Sequence, residues 1–190
     1  MTHPLFRRLQ GWATRRNILF LLAVFVVINA GLLPVIGARL DALSGGVGPL
    51  DLMAAYTPAE AYAALAAYGE EGRLFYLLTA LTLDLIYPLV YGLFFTLTIV
   101  YCLRPVLPAA HTMQRAALLP LVGMLADYVE NAGIAWLLLN YPNRLDGMAA
   151  FTSTITTIKW IFMISAIAAT VVALAMLVVQ RLRARGTAGA

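Results

Sequence analysis

The sequence predicts an all-α membrane protein whose single domain, residues 1–190, is a bundle of four transmembrane helices. Hydrophobic residues make up 62% of the chain and charged residues 12%, whereas soluble domains contain roughly 45–50% and 25%. The apolar residues are also gathered into four long runs, each of a length that crosses a bilayer as a helix. Lipid can solvate this amount of apolar surface and water cannot, so a soluble fold is excluded.

The four runs give the boundaries of the predicted spans. They extend over about residues 17–37, 74–103, 116–139 and 149–179. The second span has about 30 residues, more than a bilayer needs, so we expect it to tilt or kink. Short polar connectors join the second span to the third and the third to the fourth, which predicts antiparallel neighbours in a compact bundle.

The distribution of charge predicts the orientation of the helices. The N-terminal segment, the second loop and the C-terminal segment carry nine arginines and no acid: Arg7, Arg8, Arg15, Arg16, Arg104, Arg115, Arg181, Arg183 and Arg185. The first and third loops carry three arginines and six acids. The positive-inside rule therefore places both termini on the cytoplasmic side of a bacterial inner membrane. Because the arginines lie beside apolar runs and form no patch with aromatic residues, no nucleic-acid partner is predicted.

The first loop, residues 38–73, contains the start signal of a short helix. Thr57 is a suitable N-cap, Pro58 occupies the first helical position, and Glu60 follows the cap by three residues. We expect a helix from Pro58 to about Tyr68 that ends near Gly69. It would lie on the extracytoplasmic side, either over the mouth of the bundle or simply as an anchor of the loop at the interface.

Ionisable residues interrupt three of the four apolar runs. Asp84 lies in the second run, Asp127 and Glu130 in the third, and Lys159, the only lysine, in the fourth. Counted from the outer helix ends, they lie about 15 Å deep, and Asn29 of the first run lies about 12 Å deep. A charge that faces lipid costs about 2.5–3.5 kcal/mol. We therefore expect these residues to meet in the core of the bundle.

The charges in this polar layer do not balance, because three carboxylates face one ammonium group. We expect a protonated acid, a bound cation, or water that reaches the layer. Pro88 adds a further polar feature, since a proline frees the carbonyl group four residues earlier, here that of Asp84. Free carbonyl groups at kinked helices are typical of binding sites in membranes.

Three kinds of function fit this polar layer. The first is a cavity that binds or transports a small cationic or amphipathic ligand, with proton coupling through the acids. Its candidate ligand-binding residues are Asn29, Asp84, Tyr87, Tyr91, Asp127, Glu130, Asn131, Thr156 and Lys159. The second is a membrane-embedded enzyme that uses the carboxylates and Lys159 on a lipid-like substrate. The third is a structural or accessory subunit in which the charges form a polar clamp between helices.

No catalytic or cofactor motif selects among these functions. Both histidines, His3 and His111, lie outside the apolar runs, and the G-x-S-x-G, H-E-x-x-H and P-loop motifs are absent. A single cysteine, Cys102, excludes an intrachain disulfide and a multi-cysteine metal site. We predict no metal and no cofactor. The bilayer is the expected partner, and the sequence leaves open a homo-oligomer or a larger membrane complex.

Three segments carry a resemblance to known proteins. They are TALTLDLIYP at positions 79–88, DYVEN at 127–131 and TIKW at 157–160. The chain resembles a group of uncharacterised bacterial four-helix membrane proteins along most of its length. The resemblance implies the four-helix fold and no particular activity.

Overall fold

The computed structural model describes residues 4–108 and 111–188, and within these ranges every regular element is a helix. The α-helices are α1 (Pro4–Trp12), α2 (Arg15–Val27), α3 (Leu33–Ser44), α4 (Pro58–Ala67), α5 (Gly69–Ala80), α6 (Leu83–Leu103), α7 (Leu119–Asn140) and α8 (Asp146–Ala188). A π-helical turn, Ile28–Leu32, joins α2 to α3, and two 3₁₀ helices cover Leu50–Leu52 and Thr112–Leu118. The predicted all-helical class is confirmed.

Four helical segments are long and apolar enough to cross a membrane. They are Arg15–Ser44, Leu83–Leu103, Thr112–Asn140 and Asp146–Gly186. The first segment combines α2, the π turn and α3, and is called the α2–α3 helix below. The predicted number of such segments is confirmed. The ends of the first, third and fourth segments lie one to seven residues beyond the predicted ones, because helices here extend past the apolar runs. The second segment begins at Leu83 and ends at Leu103.

The second predicted span, about residues 74–103 with an expected tilt or kink, is divided between two helices, α5 and α6. α5 ends before Leu81, and Thr82, with φ −125° and ψ −81°, leaves the helical conformation. The hydroxyl of Thr82 donates to the carbonyl of Leu78 at 2.6 Å, and such bonds compete with the helical backbone bonds. α6 alone has 21 residues, about 32 Å of helix. The break places Asp84 in its first turn.

The helices pack as the short connectors predict. α7 packs against both α6 and α8, and the α2–α3 helix packs against α6 and α5. α7 approaches α8 closely at Gly133, where a Cβ atom would lie 2.3 Å from the hydroxyl of Thr152. Small residues permit this kind of contact between helices.

Two apolar clusters close the two ends of the bundle. The outer cluster contains the buried loop residues together with the end of α7: Leu40, Leu50, Tyr56, Ala61, Tyr62, Ala64, Leu65, Tyr68, Tyr76, Ile134, Leu137, Leu138 and Ala149. The inner cluster joins α1 to the distal halves of α6 and α8: Leu9, Ala13, Leu97, Ile99, Val100, Cys102, Leu103, Ala117, Ala173 and Leu177. The polar residues of the bundle lie between these clusters.

The helix predicted in the first loop is present as α4. The Thr57 hydroxyl accepts from the amide of Glu60 at 3.2 Å, and the Glu60 carboxylate accepts from the amide of Thr57 at 2.7 Å. The Thr57 amide, together with the Thr57 hydroxyl that donates to the same carboxylate at 2.8 Å, holds the pKa of Glu60 below its usual range. The helix stops before Gly69, whose φ of +63° begins α5 in a new direction. Ala61 and Leu65 are fully buried, so α4 packs onto the outer cluster.

Candidate functional site

A cavity of about 320 Å³ lies between the two apolar clusters. All four long helical segments and the first loop contribute to its wall. Its lining residues are Phe25, Asn29, Leu33, Asp51, Leu52, Asp84, Tyr87, Pro88, Phe95, Asp127, Asn131, Lys159, Trp160, Met163 and Ile167. The polar residues that the sequence singles out in separate helices are therefore brought together at one place.

One face of α6 points its polar side chains toward this layer. The hydroxyl of Tyr87 donates to Oδ1 of Asn29 at 3.1 Å, which links α6 to the π turn of the α2–α3 helix. One turn further, the hydroxyl of Tyr91 donates to Oδ2 of Asp127 at 2.9 Å. The spacing of Asp84, Tyr87 and Tyr91 is that of one helix face. Asp84 and Tyr87 line the cavity, whereas Tyr91 is buried against α7.

The carbonyl group freed by Pro88 has a partner on α7. Nδ2 of Asn131 donates to the carbonyl oxygen of Asp84 at 3.2 Å and to Oδ1 of Asp127 at 3.2 Å. The proline thus exposes an acceptor that a neighbouring helix uses, as expected from the missing backbone donor. Asp127 accepts from both Tyr91 and Asn131, so its two oxygens are occupied.

The lysine of α8 pairs with a glutamate of α7. Nζ of Lys159 lies 2.6 Å from Oε2 of Glu130, and the side chains are 7% and 0% exposed. Lys159 also donates to the carbonyl oxygen of Asp51 at 2.9 Å, and Nε1 of Trp160 donates to the same oxygen at 3.3 Å. A loop residue therefore completes the coordination of the buried ammonium group.

Asp51 is the site residue that the sequence analysis missed, because it lies in a loop between two apolar runs. The 3₁₀ helix Leu50–Leu52 carries it to the cavity, where its carboxylate accepts from the hydroxyl of Tyr76 at 2.5 Å. The local sequence gives one signal, an acid enclosed by the apolar residues Leu50, Leu52 and Met53. Such a pattern favours a segment that enters the bundle over one that lies in water.

Further hydrogen bonds fix this part of the first loop to α8. The amide of Tyr56 donates to the hydroxyl of Ser153 at 2.9 Å, and the hydroxyl of Thr157 donates to the carbonyl of Ala54 at 2.9 Å. Burial raises the pKa of Tyr56 to about 12, so its phenol is neutral at physiological pH. The loop thus closes the outer end of the cavity.

Three of the predicted site residues do not line the cavity. Tyr91, Glu130 and Thr156 are almost completely buried behind its wall. Tyr91 orients Asp127, Glu130 pairs with Lys159, and the Thr156 hydroxyl donates to the carbonyl of Thr152 at 3.0 Å. The remaining six line it: Asn29, Asp84, Tyr87, Asp127, Asn131 and Lys159.

Asp84 differs from the other acids of the site. Its carboxyl group has no hydrogen bond or ion pair with any residue in the described ranges 4–108 and 111–188, whereas Asp51, Asp127 and Glu130 each have a partner. A second cavity of about 110 Å³ adjoins the first, and Asp84 lines both. Four carboxyl groups and one ammonium group give this region a net charge of −3 when all are ionised.

The described part of the chain offers no metal centre, since it contains no group of three histidine, cysteine or acidic side chains close enough to hold an ion. The fold and the site define a helical bundle with four segments apolar enough to cross a membrane and an acidic cavity at its centre. Comparisons of the chain with models of protein families, with curated proteins and with solved structures gave no match.

Proposed function

We propose that this chain is a multi-pass protein of the bacterial inner membrane that binds a small cationic or amphipathic ligand in the central cavity and transports it. The observation that carries the proposal is the Asp84 carboxyl group, which faces two cavities without a partner in the described chain. An acid that needs a counter-charge in an apolar enclosure favours a ligand with an ammonium group, or a proton in its place.

Insertion in a membrane is supported by the outward faces of the helices. Large apolar side chains are more than half exposed along each long segment, including Phe20, Val35, Ile86, Leu125 and Ile164. Contiguous apolar surface of this kind is unfavourable in water and is solvated well by lipid. The nine arginines of the termini and second loop support a cytoplasmic location for both ends.

The size and lining of the cavity support a small organic ligand. Its volume of about 320 Å³ lies in the range of small-molecule sites, roughly 300–1,000 Å³, which are mainly apolar with a few polar groups. Tyr87 and Trp160 add aromatic rings to the wall, and aromatic faces attract organic cations. A ligand with one ammonium group and an apolar body matches both parts of this wall.

The position of the cavity also supports an amphipathic ligand. Phe25, Asn29 and Leu33 of the α2–α3 helix form one side, and Met163 and Ile167 of α8 form another. The α2–α3 helix packs on α5 and α6, while in the described chain its contact with α8 is slight. The space between these two helices therefore offers a lateral path from the bilayer to Asp84.

A second candidate function, the polar clamp, is favoured by the contacts of Lys159. This side chain joins α7 through Glu130 and the first loop through the Asp51 carbonyl, and buried polar contacts hold membrane helices together. The two candidates involve different groups. The clamp concerns Lys159 and Glu130, whereas ligand binding concerns Asp84 and the cavity wall.

Charged thiol reagents test whether the cavity is open and selects cations. In a Cys102→Ser background, Met163→Cys places a thiol in the cavity wall. Ile164→Cys places a thiol on the outer surface of α8, where the Ile164 side chain is 62% exposed. The rate at which each thiol reacts is measured with the cationic trimethylammonium-ethyl methanethiosulfonate and with the anionic sulfonatoethyl methanethiosulfonate. Each rate is divided by the rate at which the same reagent reacts with free 2-mercaptoethanol. We expect a cation preference of about 10-fold or more at position 163, because the net negative charge of the cavity region raises the local cation concentration.

The decisive comparison adds Asp84→Asn. This substitution should lower the cation preference at position 163 several-fold and leave the rates at position 164 unchanged. Equal normalised rates for both reagents at position 163, or a preference that Asp84→Asn does not alter, would contradict the proposal and leave the polar clamp as the better account.

A further inference from the structure

A further cavity, separate from the two that Asp84 lines, lies at the opposite end of the bundle. It has a volume of about 400 Å³ and lies where α2, α6 and α8 meet, next to the inner apolar cluster. Arg15 and Arg181 stand in its wall, from the first turn of α2 and the last part of α8. Because residues from three helices form it, we call it the inner cleft.

The two arginines of the inner cleft have no acidic partner. Both side chains are exposed, and neither forms a hydrogen bond or ion pair with an acid among the described residues. The hydroxyl of Tyr101, in the same wall, likewise donates to no described residue. Two guanidinium groups and a phenol at one opening offer the donors that a phosphate group accepts from.

The remainder of the inner cleft is mainly apolar, and its one further hydroxyl, that of Thr98, donates to the carbonyl of Phe94 at 2.7 Å. Ile18 and Leu19 of α2 face Leu174 and Leu177 of α8 across it. A free anion would leave this apolar surface uncovered, whereas an acyl chain would cover it. Basic pockets between helices on the cytoplasmic side of membrane proteins are typical sites for anionic lipid headgroups.

We propose that the inner cleft is a binding site for an anionic phospholipid. The phosphate contacts Arg15 and Arg181, and an acyl chain lies against the apolar side chains of α2 and α8. The lipid thereby joins the α2–α3 helix to α8 at this end. The proposal is independent of the ligand of the acidic cavity, since the two cavities share no lining residue.

Native mass spectrometry of the full-length protein in a neutral detergent tests this site. Phosphatidylglycerol is titrated against phosphatidylcholine of the same acyl chains. We expect wild type to retain one phosphatidylglycerol at concentrations where phosphatidylcholine is not retained. Arg15→Gln with Arg181→Gln should weaken this binding by about 10-fold or more, given the attraction of each arginine for an anionic headgroup. Arg8→Gln with Arg185→Gln removes the same charge outside the cleft and should bind as wild type does.

Three outcomes would overturn the proposal. One is equal retention of phosphatidylcholine, and another is an equal loss of binding in the control variant, which would indicate general attraction to a basic surface. The third is competition by glycerol 3-phosphate at the concentration at which the lipid binds, which would indicate a site for a free phosphate. A thermal melt without added lipid checks folding, and both arginine variants should melt as wild type does because all four side chains are exposed.

Discussion

At the scale of single residues, Lys159 and Glu130 form the one ion pair among the described residues in which both side chains are buried. Oε1 of Glu130 has no hydrogen-bond partner within the described chain, and Oε2 lies 2.6 Å from Nζ of Lys159. Removal of one partner from a buried pair leaves an uncompensated charge, whereas removal of both does not. We therefore expect a single substitution in this pair to lower the free energy of unfolding more than the double substitution does.

Lys159→Met alone should destabilise the fold by about 3–5 kcal/mol, because Glu130 would keep a buried charge without a partner. Lys159→Met combined with Glu130→Gln should cost clearly less than the single substitution. Reversible unfolding in mixed micelles measures both free energies. A double variant that is as unstable as the sum of its single variants would show that the two side chains act independently and that the ion pair is not the stabilising contact.

The sequence predicts much of the site at this scale, because a polar residue in an apolar run is easily recognised. Asp84, Asp127, Asn131 and Lys159 are predicted in this way, and the structure brings them together. Asp51 is not, since its apolar neighbours indicate a buried segment but do not give the path of its loop to Lys159. Equally, the sequence cannot tell which acid lacks a partner, because that depends on side-chain positions.

At the scale of elements, the contact of α7 with α8 depends on the absence of a side chain at Gly133. A Cβ atom there would lie 2.3 Å from Oγ1, 3.0 Å from Cγ2 and 3.2 Å from Cβ of Thr152. The Thr152 hydroxyl already donates to the carbonyl of Met148 at 2.9 Å, so it cannot turn away without loss of that bond.

Gly133→Ala should lower the free energy of unfolding by about 1–3 kcal/mol, the usual cost of overpacking. Thr152→Ala in the same chain should recover part of the loss, since two of the three crowding atoms are then absent. Gly147→Ala is the matched control, because a Cβ atom at Gly147 meets nothing within 4 Å. Equal melting temperatures for the Gly133 and Gly147 variants would contradict the close helix contact.

The break between α5 and α6 shows where prediction of elements fails. Residues 74–103 form one apolar run in the sequence, because hydropathy does not distinguish a helix from a turn whose residues are apolar or weakly polar. Pro88 is the visible helix breaker, yet it lies within α6, while the break occurs at Leu81 and Thr82. Neither residue at the break is a glycine or a proline, so the sequence carries no strong signal for it.

At the scale of the whole molecule, four segments and their order follow from the lengths of the apolar runs. The packing of α1 and the buried course of the first loop do not, because both depend on tertiary contacts with α6 and α8. Both cavities exist only between elements, so their volumes and shapes cannot be predicted from the runs. The charge asymmetry of the loops nevertheless predicts the topology of the whole chain.

Reporter fusions measure this topology directly. A C-terminal fluorescent protein that folds only in the cytoplasm should be bright, and alkaline phosphatase inserted after Gly46 in the first loop should be active. We expect this result because nine arginines and no acid flank one side of the spans. An inactive phosphatase at position 46 together with a dark C-terminal fusion would reverse the predicted orientation.

The most direct test of the central claim is a binding titration read by Trp160, which lines the acidic cavity, whereas Trp12 and Trp136 are exposed on the outside. In a Trp12→Phe, Trp136→Phe background, emission is followed while phenylalkylammonium ions from benzyl to phenylbutyl are added, with the matching alcohols as neutral controls. We predict a saturable change for at least one ammonium ion, a much weaker response to its alcohol, and loss of the response in Asp84→Asn. No saturable response across the series, or an unchanged response in Asp84→Asn, would contradict a cation site at Asp84.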